Sequence, residues 1–267
     1  MPNLTLDNGT LFYEEAGQGP PMLLLHAGVC DSRMWRPQVA ALAPDHRVVS
    51  CDLRGFGASP LPDGPFSYAD DVAVLVQALE LAPAWCVAAS FGGLVALDVA
   101  LAYPHLLQGL VLFAPAVSGW PPGDDVAEFG RQEEALLDAG ALQAAADLNA
   151  QTWAVGPQRA PESVDAVLQA AVAEMQLATF LQPQPAGVSL RELDPPAWER
   201  LETIALPCLV VSGALDMPSF VALGEQVAAR IPGAQRVVVP DAAHLPSMEL
   251  PALCTSLIQA FMAGQSS

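Results

Sequence analysis

Seven short apolar runs punctuate this chain, and helical stretches separate most of them. They cover residues 11–15, 22–26, 47–51, 85–89, 110–114, 208–212 and 235–239. Their lengths, and closing turn residues such as Ala27-Gly28 and Asp52, read as strands and not as pieces of buried helix. Residues 91–103, 220–230 and 251–262 carry apolar side chains at helical spacing. Pro104 stops the first of these helices, and Pro251 is acceptable in the first turn of the last. Strand–helix alternation of this kind calls for an α/β fold with a mostly parallel, doubly wound sheet. The expectation is a sheet of about eight strands.

Residues 115–202 break that rhythm, with no β-like run. Within them, 124–139, 142–154 and 161–181 fit helices, and Gln182-Pro183-Gln184-Pro185 ends the last one. The expected organisation is an α/β core from residues 1–114 and 203–267, with residues 115–202 as a helical lid over the strand ends. A packing subdomain with no gating role is the alternative.

Composition narrows the class. At 267 residues, 52% hydrophobic and 15% charged, the chain can bury a large core and is not disordered. Ten basic against 29 acidic residues give a net charge of −19, and no basic stripe offsets it, which excludes nucleic acid as a partner. The start, Met1-Pro2-Asn3-Leu4, has no leader character, and no apolar stretch is long enough to span a membrane, so a cytoplasmic setting is expected. Cys30, Cys51, Cys86, Cys208 and Cys254 are odd in number and widely spaced, which reads as free buried thiols and not as metal ligands. No phosphate-cradling glycine motif is present, so no cofactor or metal is expected. Oligomeric state has no signature in the sequence.

The chemistry concentrates at Ala88-Ala89-Ser90-Phe91-Gly92-Gly93, directly after one strand and before one helix. A sharp strand-to-helix turn pushes its central side chain outward in a strained conformation. Small residues two before and two after the serine let the turn close, and Ala88 and Gly92 supply them. Ala88 departs by one methyl from the Gly-x-Ser-x-Gly form. A serine that merely caps the helix is the plainer reading.

Five pieces in order resemble the α/β-hydrolase family, over nearly the whole chain. They are Leu24-Leu25-His26-Ala27-Gly28, Asp52-Leu53-Arg54-Gly55-Phe56-Gly57-Ala58-Ser59, the turn at Ser90, Gly213-Ala214-Leu215-Asp216 and Ala243-His244-Leu245. Ala27 and Ala88 stand where the family usually has glycine. Asp31-Ser32-Arg33-Met34-Trp35 is most similar to enol-lactonase and carboxylesterase members.

A serine hydroxyl needs a base, and His244 lies in a loop after a strand near the chain end. Asp216, directly after another strand, is the carboxylate that would hold the imidazole's tautomer. The order Ser90, Asp216, His244 is the one this fold uses. Asp241 is a rival acid that reads better as a turn residue, and His46 and His105 read as solvent-facing. The backbone N–H of Phe91 should donate to a developing oxyanion, and the resemblance places a second donor at Gly28. His26 is expected to fix that loop, with catalysis as its alternative. By resemblance, Asp52 and Arg54 form a charge-assisted pair. Cys30 either lines the pocket or is buried. Met217 and Leu245 are expected to border the site, with a minority of Trp120, Phe129, Trp153, Met175 and Phe180 reaching it from the lid.

These residues point to a serine hydrolase that cleaves a small, mostly apolar ester or lactone through an acyl-enzyme. Two alternatives use the same residues: C–C bond hydrolysis of a meta-cleavage-type diketone, and a non-catalytic small-molecule receptor. Dehalogenation and epoxide hydrolysis need a carboxylate where Ser90 stands, and a cysteine-dependent dienelactone hydrolase is excluded on the same ground.

Overall fold

A computed structural model describes residues 3–265; Met1 and Pro2, within the start that was expected to lack leader character, lie outside them, as do Ser266 and Ser267. Its strands are β1 (Asn3–Leu6), β2 (Gly9–Ala16), β3 (Pro21–Leu25), β4 (Arg47–Cys51), β5 (Pro65–Phe66), β6 (Ala84–Ala89), β7 (Leu107–Phe113), β8 (Ser189–Leu190), β9 (Cys208–Gly213) and β10 (Gln235–Val239). Eight of them form one sheet in the order β1-β2-β4-β3-β6-β7-β9-β10. The β1–β2 and β2–β4 pairs are antiparallel, and the rest of the sheet is parallel. The expected α/β sheet is present. Residues 115–202 are not wholly strand-free, however, because Leu190 of β8 pairs with Phe66 of β5.

The helices are α1 (Arg36–Leu42), α2 (Tyr68–Ala78), α3 (Phe91–Ala102), α4 (Asp124–Asp138), α5 (Leu142–Asn149), α6 (Ala166–Phe180), α7 (Pro218–Arg230), α8 (Pro246–Glu249) and α9 (Pro251–Gly264). Strand side chains alternate between two faces, and the core divides accordingly. Leu23, Cys86, Leu112 and Val210 pack with Val72 of α2, Val95 of α3 and Leu223 of α7. Met22, Val87, Val111 and Leu209 pack on the opposite face with Leu42 of α1 and Ile258 of α9. Helices on both faces explain why β6 is buried at every position. All five cysteines are free and buried. Among the described residues, no helix is long and apolar enough to cross a membrane.

Parallel pairing carries the C-terminal ends of β3, β6, β7, β9 and β10 to one edge of the sheet. Leu25 lies opposite Ala88, Ala89 opposite Phe113, and Phe113 opposite Val211. The sheet runs outward in both directions from β3 and β6, so the loops after these strands flank the switch point, where ligands bind in open α/β sheets. Helices α4, α5 and α6 lie in the chain between β7 and β9. Asp125 of α4 ties that segment to α7 by accepting the Ser219 N–H at 3.0 Å and the Ser219 hydroxyl.

Candidate active site

Ser90 occupies the single position between β6 and α3, with φ 49° and ψ −113°. A non-glycine residue held there stores roughly 1–3 kcal/mol of strain. Hydrogen bonds fix it: its N–H donates to Phe113 O at 2.9 Å, and its carbonyl accepts from Leu94 and Ala116. The tight approach at Gly92 differs in origin from the expected one. A Cβ there would overlap the carbonyls at Leu25 and His26, so its nearest obstacle is the end of β3 and not Ala88.

Loops after β9 and β10 deliver the other two groups. The Ser90 Oγ lies 2.7 Å from His244 Nε2, and Asp216 Oδ2 lies 2.7 Å from His244 Nδ1. Asp216 accepts the Nδ1 hydrogen, which leaves Nε2 free to accept from the serine hydroxyl. Asp216 also accepts the Met217 N–H at 2.7 Å, which fixes its carboxylate. The two loops touch, since a Cβ on Gly213 would overlap the Ala242 and Ala243 carbonyls. His244 and Asp216 are 2% and 1% exposed, whereas Ser90 is only half-buried and meets the cavity.

A second set of contacts holds the His244 loop from behind. Glu249 Oε1 accepts the Ala243 N–H at 2.8 Å, and Glu249 Oε2 pairs with Arg159 Nη2 at 2.6 Å. Arg159 also donates to the carbonyls of Ala154, Val155 and Asp241. Burial pushes the Glu249 carboxyl above its ordinary range, and the Arg159 guanidinium opposes that shift. Asp241, the rival acid, is exposed.

The expected oxyanion donors lie side by side. A Cβ on Gly28 would sit 3.3 Å from the Phe91 Cβ. Phe91 opens α3, so its N–H has no acceptor within the helix. Among the described residues, neither amide donates to another backbone carbonyl. His26 Nε2 accepts the Leu53 N–H at 2.9 Å, so its Nδ1–H donates to Ala27 O at 2.8 Å. Burial lowers the His26 pKa, which keeps the ring neutral in this clamp between two loops. Asp52 and Arg54 do not pair with each other. Asp52 accepts the Ser32 and Ala58 N–H groups, and Arg54 pairs with Asp71 at 2.6 Å.

These groups open onto a cavity of about 380 Å³, within the range of small-molecule sites. Gly28, Ser90 and His244 line one part of it, and Phe129, Trp153 and Phe220 another. Trp153 and Phe220 each approach the His244 ring at 4.5 Å. The remaining expected lining residues do not reach the cavity. Trp120 meets Phe220 edge-to-face behind it, ring centroids 5.5 Å apart, and Leu245 is fully buried in the core. Met217 is buried and borders a neighbouring surface cleft, Met175 of α6 is buried in the core, and Phe180 lies half-buried at the end of α6. Cys30 is buried against Met248, 3.7 Å away, so its thiol does not line the cavity. His105 is exposed as expected, but His46 is half-buried. Phe220, Asn149 and Gln176 were not anticipated, because only the folded chain shows which way a helix face points.

The model of the alpha/beta hydrolase fold family matches residues 20–251, and the chain belongs to that family. Among curated relatives, the pimeloyl-acyl-carrier-protein methyl ester esterase of Edwardsiella ictaluri is 34% identical over 270 residues, covering 96% of this chain and 98% of its own. BpoC of Mycobacterium tuberculosis, whose name places it provisionally among the non-heme bromoperoxidases, is 30% identical over 94% of this chain and 97% of its own. Among solved structures, the enol-lactonase from Burkholderia xenovorans superposes with a TM-score of 0.79 at 26% identity, covering 98% of this chain and 100% of that one. This chain is a hydrolase of the alpha/beta fold.

Proposed function

We propose that the protein is a serine hydrolase that cleaves a small, mostly apolar carboxylic ester or lactone through an acyl-enzyme intermediate. The observation that carries this is the unbroken hydrogen-bonded chain from Asp216 through His244 to Ser90, with both links at 2.7 Å, ending on a cavity. In this mechanism Ser90 Oγ attacks the substrate carbonyl as His244 Nε2 takes its proton. The Asp216 carboxylate stabilises the imidazolium that forms, and the N–H groups of Gly28 and Phe91 receive the oxyanion. Such a donor is worth roughly 3 kcal/mol of transition-state stabilisation. Collapse expels the alcohol, protonated by His244; water then attacks the acyl-enzyme by the same route in reverse. In a lactone the leaving alcohol stays tethered to the acyl chain.

Residues 115–202 supply Phe129 and Trp153 to the cavity, which supports their role as a lid. Five buried, unpaired thiols support a reducing, cytoplasmic setting. Diketone C–C cleavage, whose acid tail calls for a polar or basic pocket group, meets no lysine or arginine among the described lining residues, only the neutral Asn149 and Gln176 beside the Glu133 carboxylate, which favours an uncharged substrate.

Ser90→Ala should lower turnover of p-nitrophenyl butanoate by on the order of 10⁴-fold or more. A purified Ser90→Ala variant that still turns the ester over would overturn the assignment.

A further inference from the structure

Apart from Ser90 and His244, the polar side chains that line the cavity are Glu133, Asn149 and Gln176. Gln176, on α6, is 5% exposed and lines the cavity, and its Oε1 is buried without a partner. Its neighbours Val172 and Met175 belong to the core, so this side chain does not sit on a solvated face. Asn149, at the end of α5, is 2% exposed and lines the same cavity. Its Nδ2 donates to Glu133 Oε1 at 2.5 Å and to Ala145 O at 2.9 Å. Both partners are acceptors, so the amide's orientation is set, and its Oδ1 receives no donor among the described residues.

An unsatisfied amide in an interior is costly, and native proteins keep few of them without a use. A ligand that supplies the missing partners recovers that cost on binding. Charge narrows which ligand this is. Glu133 places a carboxylate on the wall, with no lysine or arginine to offset it among the described lining residues, and the chain's net charge is −19. An anionic group would meet repulsion both on approach and in the cavity.

We propose that Gln176 and Asn149 form the specificity subsite of the cavity, selecting an uncharged ester or lactone that also carries a hydrogen-bonding N–H or O–H group. A primary carboxamide is the best match, because both open atoms are acceptors and its two N–H groups can donate to Gln176 Oε1 and Asn149 Oδ1. This rests on the serine hydrolase reading and adds the substrate class to it: apolar chain, reactive carbonyl, and one neutral polar group.

The test uses p-nitrophenyl esters over several matched acyl lengths, each ending in a methyl, a primary carboxamide or a carboxylate. With the unaltered protein, kcat/KM for the carboxamide ester should exceed that of the methyl ester by roughly tenfold at the best length, with the carboxylate slowest. In Gln176→Met the carboxamide-to-methyl ratio should fall towards one, with fluorophosphonate labelling of Ser90 as the check that the site is intact. A measurement without any variant runs beside it: a neutral aliphatic amide should inhibit methyl-ester turnover more strongly than a carboxylate of matched length. A ratio unchanged by Gln176→Met, or a preference for the carboxylate, overturns the subsite and leaves the hydrolase reading standing. No turnover of any ester, with Ser90 unlabelled, overturns both.

Discussion

The Trp153 indole and the His244 imidazole lie with ring centroids 4.5 Å apart and planes tilted by 49°. Phe220 meets the same imidazole at 4.5 Å and 77°, and Trp153 is itself braced by Phe129 at 4.9 Å. In the proposed mechanism proton transfer from Ser90 makes His244 a cation, and an aromatic face stabilises a nearby desolvated cation by about 0.5–2 kcal/mol. That support exists only once the charge has formed, so it favours the transition state over the resting site. Trp153→Leu should therefore lower kcat roughly three- to thirtyfold. Trp153→Phe should retain most of it. Steady-state kinetics on one ester checks this, and a leucine variant with unaltered kcat would show that the clamp is only packing.

Two glycines beside the site should respond differently to one added methyl. At Gly28 the new Cβ would meet the Phe91 Cβ at 3.3 Å, a contact a side chain can relieve by a small shift. Gly28→Ala should fold normally and lose about tenfold in kcat, because the shift disturbs the proposed pair of oxyanion donors. At Gly92 the methyl would overlap the backbone carbonyls at Leu25 and His26, which cannot move without displacing β3. Gly92→Ala should therefore lose about 3 kcal/mol or more of stability, read by urea unfolding.

The parts of this fold visible in the sequence are those that local physics determines. Residues 47–51 and 235–239 are β-branched runs between turn signals, and β4 and β10 occupy those spans. Ser90, Asp216 and His244 were legible because each follows a strand at the edge where parallel strands end. Helix α2 was not anticipated, although Ser67 caps it and Asp70 and Asp71 fill its first turn. The β8 strand has only two residues and exists through pairing with β5, a partner distant in the chain. Phe220 and Gln176 reach the cavity through the docking of α7 and α6, which periodicity alone does not orient.

Arg159 and Glu249 form a largely buried pair whose removal should be felt at His244. Their side chains are 14% and 5% exposed, and Glu249 holds the Ala243 N–H next to His244, the proposed base. Breaking a buried pair from one side leaves an uncompensated charge and costs about 3–5 kcal/mol. Arg159→Met should destabilise by that order and lower kcat more than it changes KM. Adding Glu249→Gln should restore part of the stability, because the stranded charge is gone. Strict additivity of the two changes in a double-mutant cycle would show that the pair acts as two separate contacts.

Asp98 gives the fold a pH dependence of its own. It lies on α3, 8% exposed, and accepts the Ser118 hydroxyl at 2.7 Å. That hydroxyl oxygen accepts the Ala197 N–H at 2.9 Å, so the carboxyl joins α3 to both ends of the helical segment. Burial raises the Asp98 pKa from 3.8 to about 6, with the Ser118 hydrogen bond opposing. A carboxyl with a folded pKa above its unfolded value binds its proton more tightly in the native state. Its contribution is therefore present in acid and is lost as pH rises from 3.8 towards about 6. Asp98→Asn keeps an acceptor for Ser118 and never carries the charge. The variant should match the parent in acid and exceed it by up to about 2 kcal/mol above neutrality. Urea unfolding of both proteins across that range reads the difference directly; a variant less stable at neutral pH would mean that the ionised carboxylate holds the junction together.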